Sequence, residues 1–114
     1  MEPLFVRVGS LAEVPDGEVR GYELDGIRVA VAHLDGQVHA LGDECTHRSC
    51  SLSEGELEPG GSVVCPCHGS RFDLESGEPL DGPAAEPVPV YPARVEDGWV
   101  EVAVTAWDHN GREA

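Results

Sequence analysis

The sequence predicts an all-β protein. No segment repeats its apolar residues at the helical period, and the Val-, Ile- and Leu-rich runs are short. Turn residues separate these runs, with Asp-Gly pairs at 25–26, 35–36 and 97–98. Asp-Gly between two apolar runs is a strong hairpin signal. We therefore expect antiparallel sheets that form a β-sandwich or a partly open barrel.

The elements follow from these signals in chain order. The three runs around the first two Asp-Gly pairs predict a meander, and residues 10–15 predict a turn with one helical turn. Pro89 and Pro92 lie in a predicted strand, and proline cannot donate to a ladder, so this strand belongs at an edge or a bulge. The predicted strands cover residues 4–8, 19–24, 27–34, 37–41, around 57, 62–64, 71–74, 88–95 and 99–104.

Length and charge limit the function. The 114 residues suffice for one domain with a modest core. With 22 acidic and 7 basic residues the net charge is −15, which repels phosphate backbones and argues against nucleic-acid binding. The same charge would steer the protein towards a basic patch on a partner. No leader and no apolar run of membrane-spanning length is evident, so we expect a cytoplasmic monomer without membrane insertion.

The segments 45–50 and 65–70 contain all four cysteines and two of the five histidines, and each includes a short Cys/His box. Cys45-Thr46-His47 has the pattern Cys-x-His, and Cys65-Pro66-Cys67-His68 contains the pattern Cys-x-x-His. Two loops that each offer a thiolate and an imidazole would make a site with two sulfur and two nitrogen donors. Such a site takes zinc or an iron–sulfur cluster.

The two boxes resemble those of the Rieske family, whose [2Fe–2S] cluster has two cysteines on one iron and two histidines on the other. The resemblance covers Cys45-Thr46-His47 and Cys65-Pro66-Cys67-His68-Gly69-Ser70, and it extends over most of the chain. It implies that Cys45 and Cys65 bind the inner iron and that His47 and His68 bind the outer iron. It also implies a single domain over 1–105, with a cluster-binding subdomain at about 42–83. Residues 106–114 would form a mobile tail.

The positions around the cluster carry further implications of this resemblance. Cys50 and Cys67 match the disulfide pair of high-potential Rieske proteins, although two reduced thiols would suit ordinary cytosolic conditions. Ser70 matches a serine that donates a hydrogen bond to a bridging sulfide. Phe72 occupies the position of a tyrosine and has no hydroxyl to donate. Pro83 matches the proline loop that covers the cluster.

The resemblance implies a soluble Rieske-type ferredoxin, an electron-transfer component and not itself an enzyme. It would pass single electrons from an NAD(P)H- or flavin-dependent reductase to a terminal oxygenase, with partners docking near His47 and His68. One alternative is a small Rieske subunit of another oxidoreductase, either nitrite reductase-like or of the respiratory high-potential type. The other is a zinc-stabilised interaction module without a redox role.

Four remaining side chains are not predicted to bind the cluster or carry electrons. His33 and His39 lie at the end of and within predicted strands, where a structural or exposed histidine is more common than a ligand. Trp99 and Trp107 are expected to pack in the base domain, outside the cluster-binding subdomain, rather than carry electrons.

Overall fold

The computed structural model describes residues 5–24, 26–44, 50–67, 69–81 and 86–103, and in this part of the chain it is all-β, as predicted. Two short 3-10 turns cover Leu11–Glu13 and Leu52–Glu54. The strands are β1 (Val6–Ser10), β2 (Glu18–Leu24), β3 (Ile27–Leu34), β4 (Gln37–Gly42), β5 (Glu56–Glu58), β6 (Ser62–Val64), β7 (Arg71–Asp73), β8 (Pro79–Asp81), β9 (Val90–Tyr91), β10 (Ala93–Glu96) and β11 (Trp99–Val102).

The strands form three antiparallel sheets, in the orders β1-β11-β10, β2-β3-β4-β9 and β5-β6-β7-β8. The predicted meander is confirmed as β2-β3-β4. Asp35 and Gly36 have φ of 53° and 79°, and Asp97 and Gly98 have φ of 51° and 81°. Positive φ at both central residues is what a tight type I′ hairpin requires, and Asp-Gly adopts it readily. The Asp-Gly pairs therefore fix the register of these hairpins.

The predicted single strand over 88–95 is wrong. The structure divides it into β9, which pairs with β4, and β10, which pairs with β11. Pro92 separates the two, and its carbonyl accepts a hydrogen bond from the Ala103 amide at 3.0 Å. Each piece lies at the edge of its sheet, as the two prolines predicted. The break lets the chain pass from one sheet to the next.

One other prediction needs correction, and two elements were not predicted. Alternate residues of β11 point to opposite faces of the sheet, and the side chains of Val100 and Val102 point into the core. Trp99 therefore lies at the surface and is 39% exposed. The Arg7 guanidinium lies 5.1 Å from the centroid of the Trp99 ring. The two elements that were not predicted are the 3-10 turn at Leu52–Glu54 and the three-residue strand β8. Trp107 lies outside the described residues.

The core consists of two apolar clusters on the two faces of the β2-β3-β4 sheet. Strand β3 supplies both, since its alternate residues point to opposite faces. Ala30 and Ala32 belong to the cluster shared with the β5–β8 sheet, and Val29 and Val31 to the cluster shared with β11. The first cluster also contains Cys65, so the second Cys/His box is packed directly against the central sheet.

Both histidines of the central sheet are partly buried. The His33 Nδ1 lies 2.7 Å from the Val14 carbonyl oxygen, and its Nε2 lies 3.5 Å from the Asp16 carboxylate. Burial lowers the pKa of His39 below the usual value for histidine. Over the ranges that the structure describes, no helix is long and apolar enough to cross a bilayer.

Candidate metal centre

The second Cys/His box is a tight loop between β6 and β7. The Cys65 amide donates to the Ser70 carbonyl at 2.7 Å, and the Gly69 amide donates to the Cys65 carbonyl at 3.1 Å. Gly69 has φ of 78°, a left-handed conformation that glycine adopts without strain. Cys65 is only 2% exposed. The loop thus holds Cys65 at its base, while His68 lies outside the described residues.

The side chains of Ser70 and Phe72 are fully buried, so they fix the end of this loop to the protein interior. Phe72 belongs to the same apolar cluster as Cys65, with Val63 and Leu74 as further members. Its ring therefore packs the base of the loop and, lacking a hydroxyl, donates no hydrogen bond there.

The first box is described through its flanks, because Cys45 and His47 lie outside the described residues. On one side are Asp43 and Glu44, and on the other is the chain from Cys50 onwards. The Leu52 amide donates to the Asp43 carbonyl at 3.1 Å, and Glu44 pairs with Ser51 in an antiparallel bridge. The chain therefore enters and leaves the first box at adjacent points.

The predicted disulfide is present in the structure. Cys50, on the flank of the first box, is bonded to Cys67 of the second box, with their Cα atoms 6.4 Å apart. The bridge brings the two boxes to the same place and ties them together. Pro83, predicted to cover the cluster, lies outside the described residues.

The residues present fit a cluster with two cysteine and two histidine ligands. Each box offers one thiolate and one imidazole, and the disulfide joins the loops that carry them. Three of the four predicted ligands fall outside the described ranges. Within those ranges, no group of three or more histidine, cysteine or acidic side chains is placed to hold a metal. When bound, a cluster of this kind accepts and returns one electron at a time.

Comparison with known proteins decides between zinc and an iron–sulfur cluster. Residues 5–92 match the Rieske [2Fe-2S] domain. The chain belongs to this family. The expected cofactor, one Rieske-type [2Fe–2S] cluster, is thereby confirmed.

The relatives of this Rieske protein include electron carriers. It is 39% identical, over 92% of its own length and 97% of the relative's, to the 3-phenylpropionate/cinnamic acid dioxygenase ferredoxin subunit of Photorhabdus laumondii. It is also similar to a chain from the complex of reduced oxygenase and oxidised ferredoxin in carbazole 1,9a-dioxygenase. That match has a TM-score of 0.81 and 31% identity over 99% of this chain and 98% of the other.

A third similar protein is named as a subunit of a different kind of enzyme, not a dioxygenase. It is a Mycobacterium tuberculosis protein assigned as an NADH-dependent nitrite reductase small subunit, with a TM-score of 0.79 and 34% identity over 90% of this chain and 96% of that one. The prediction of a Rieske-type ferredoxin, an electron-transfer component and not an enzyme, is confirmed by the ferredoxin subunits among these relatives.

An ionic network that was not predicted from the sequence joins the strand leaving the second box of the Rieske protein to its neighbours. Arg71 directly follows Ser70 and donates from Nε and Nη2 to Glu58 Oε1, at 3.0 and 2.6 Å, and from Nη1 to Asp81 Oδ2 at 2.8 Å. It thereby joins β5, β7 and β8. The hydrogen bonds from Arg71, and then the one from Ser62, hold the pKa of Glu58 below its usual range.

Replacing Glu58 with glutamine should make the thermal stability of the protein less dependent on pH. A carboxylate with a lowered pKa in the folded state stabilises the protein above its ordinary pKa, and this contribution is lost as the pH falls through the folded value. We expect Glu58→Gln to lower the melting temperature at pH 7 and to match the wild type only at a pH below the lowered pKa of Glu58. Glu56→Gln, an exposed change on the same strand, serves as the control in a thermal unfolding series. Equal melting temperatures for Glu58→Gln and wild type at pH 7 would contradict the stabilising role.

Proposed function

We propose that this Rieske protein is a cytoplasmic, monomeric one-electron carrier that takes electrons from an NAD(P)H- or flavin-dependent reductase and delivers them to a terminal oxygenase. The observation that carries this proposal is the full-length likeness to a dioxygenase ferredoxin subunit, which spans 97% of that relative. The chain is thus as long as a dedicated carrier. A likeness to a ferredoxin chain from an oxygenase complex supports the same direction of transfer.

The proposed ligands are Cys45 and Cys65 on the inner iron and His47 and His68 on the outer iron. The near-complete burial of Cys65 supports an inner position for that thiolate. Replacing two anionic thiolates with neutral imidazoles makes the cluster less negative, so it accepts an electron more readily than a four-cysteine cluster does.

The proposed surroundings of the cluster are the Cys50–Cys67 disulfide, Gly69, Ser70, Phe72 and Pro83. The first five of these residues are described, and the disulfide and the buried Ser70 and Phe72 support their placement beside the two boxes. We further propose a subdomain over about 42–83 within a domain of 1–105. The separate β5–β8 sheet, which lies inside that interval, supports this division. The proposed tail, 106–114, lies outside the described residues.

Partners are proposed to dock over His47 and His68, because an imidazole edge on the outer iron is a short route for the electron. The net charge of −15 favours a partner with a basic docking surface. The second-order rate of electron transfer should then fall on the order of tenfold between low and physiological salt. Stopped-flow reduction by the reductase of a dioxygenase system measures this rate, and reduction by an uncharged dye is the control. A rate that does not change with salt would contradict charge-steered docking.

A small subunit of nitrite reductase is the second candidate, and the 34% identity to the Mycobacterium tuberculosis protein favours it over other systems. Reconstitution with the partner proteins of each system distinguishes the two candidate functions. The purified protein is mixed with NADH and either the reductase and oxygenase of a dioxygenase system or a nitrite reductase large subunit. Cluster-dependent product formation in the first mixture supports the proposed carrier. Activity in the second mixture alone overturns it.

A further inference from the structure

A buried carboxylate lies immediately before the first Cys/His box. Asp43 is 4% exposed and precedes Cys45 by two residues. Its Oδ1 accepts a hydrogen bond from the Ser53 amide at 2.6 Å, and its Oδ2 accepts one from the Ser53 hydroxyl at 2.7 Å. Ser53 lies on the far side of the box, so a single side chain spans the two flanks.

The backbone around this carboxylate is fastened in the same way. The Asp43 amide donates to the Arg28 carbonyl of β3 at 3.1 Å, and the Asp43 carbonyl accepts from the Leu52 amide at 3.1 Å. Asp43, Glu44, Ser51, Leu52 and Ser53 thus form one connected set, which we call the neck of the first box. The neck is attached to the central sheet on one side and closes the box on the other.

The neck leaves no room for a side chain on the adjacent strand. A Cβ added at Gly21 of β2 would lie 2.7 Å from the Ser53 Oγ and 2.9 Å from the Asp43 Oδ2. Both distances are shorter than Cβ contacts allow, and the atoms they involve are those of the Asp43–Ser53 pair. Gly21 therefore permits the carboxylate and the hydroxyl to meet against the sheet.

The chemistry of the pair suits a positioning role. Hydrogen bonds from N–H and O–H donors to a carboxylate are stronger than neutral ones, and two of them fix both the position and the orientation of the group. A buried carboxylate that loses such donors is strongly penalised. Asp43 is thus committed to one geometry, and the first box begins two residues later.

We propose that Asp43 is a positioning residue for the cluster, acting through the first box. By clamping the neck to Ser53, it fixes where the segment that carries Cys45 and His47 begins and ends. This inference rests on the proposed assignment of Cys45 and His47 as ligands. Asp43 itself does not ligate iron in this proposal.

Three substitutions disturb the same contact in different ways. Asp43→Asn keeps the shape of the side chain but replaces one carboxylate oxygen with an NH2 group, which would face a hydrogen-bond donor of Ser53. Ser53→Ala removes only the hydroxyl and keeps the backbone hydrogen bond, so it is the milder change. Gly21→Ala pushes on the pair from the strand behind it without changing either partner.

The chain offers a matched control in a second Asp–Ser pair. The Asp73 Oδ2 accepts hydrogen bonds from the Ser76 amide at 2.8 Å and from the Ser76 hydroxyl at 3.0 Å. This pair joins the last residue of β7 to the turn that follows it, and it spans no ligand box. The Asp73 Oδ2 also accepts from the Glu75 amide, and the pair is more exposed than Asp43–Ser53. Asp73→Asn therefore disturbs hydrogen bonds of the same kind away from the first box and reports the effect of lowered stability.

The test uses the cluster-loaded protein and three readouts: iron release to a chelator, the EPR spectrum of the reduced protein and the melting temperature. We expect Asp43→Asn to release iron roughly tenfold faster than wild type, the change that corresponds to the loss of one charge-assisted hydrogen bond. Its EPR spectrum should shift, because the ligand geometry at the cluster changes. Ser53→Ala and Gly21→Ala should shift the spectrum in the same direction by less, and Asp73→Asn should leave it unchanged.

The inference is overturned if all four variants lose stability while their EPR spectra and iron release remain those of the wild type. If Asp43→Asn fails to fold, Ser53→Ala decides in the same way. A wild-type protein that binds no iron would instead overturn the proposed ligand assignment, on which the inference rests.

Discussion

Replacing Cys50 and Cys67 together by alanine is expected to lower the free energy of unfolding by about 3 kcal/mol. The two residues are 17 positions apart, and their bond joins the flank of the first box to the second box. Without it, the unfolded chain regains the freedom of that loop, and in the folded protein the two boxes are held together by the proposed cluster and by the strands behind them. Denaturant unfolding of the cluster-loaded protein, followed by circular dichroism, measures the change.

Reduction provides the internal control for this double variant. A reductant strong enough to open the disulfide also reduces the cluster, so wild type and variant are compared in the same reductant, where their stabilities should become equal. Thiol alkylation followed by mass spectrometry reports the state of the two cysteines directly. Two freely alkylated thiols in native wild-type protein, or a double variant as stable as the wild type, would contradict the structural role of the bridge.

Replacing Ser70 by alanine is expected to lower the midpoint potential on the order of 60 mV, a tenfold change in a one-electron equilibrium. Ser70 is fully buried at the end of the second box, and its resemblance to the family's serine implies a hydrogen bond to a bridging sulfide. Such a bond strengthens when the cluster becomes more negative, so it favours the reduced state. Voltammetry on both proteins at one pH measures the shift.

A second serine provides the control for this measurement. The Ser76 hydroxyl donates to Asp73 in the turn after β7, away from the boxes, so Ser76→Ala should leave the potential where it is. An unchanged potential in Ser70→Ala would show that the hydroxyl does not interact with the cluster. An equal shift in both variants would show that the effect is one of general stability.

Local signals made much of this fold predictable from the sequence. Asp35-Gly36 and Asp97-Gly98 specify tight hairpins through their own backbone preferences, and these hairpins form where expected. The two Cys/His boxes are equally local, since each needs only a few residues at fixed spacing. The family could therefore be identified from the boxes without any knowledge of the sheets.

The features that the sequence did not reveal depend on contacts between distant residues. The pairing of Val6 with Val102 sets the order of one sheet, yet nothing near either residue indicates it. The exposure of Trp99 depends on which face of β11 meets the core. Asp43 and Ser53 are ordinary polar residues in sequence, and only the folded neck brings them together.

The measurement that tests the central claim most directly is the midpoint potential of the purified protein, by direct voltammetry. A reversible one-electron wave between about −150 and +300 mV from a red-brown protein is the result predicted for a Rieske cluster. A colourless, folded protein that contains stoichiometric zinc and gives no wave would contradict the claim. It would leave the zinc-stabilised interaction module as the function of this chain.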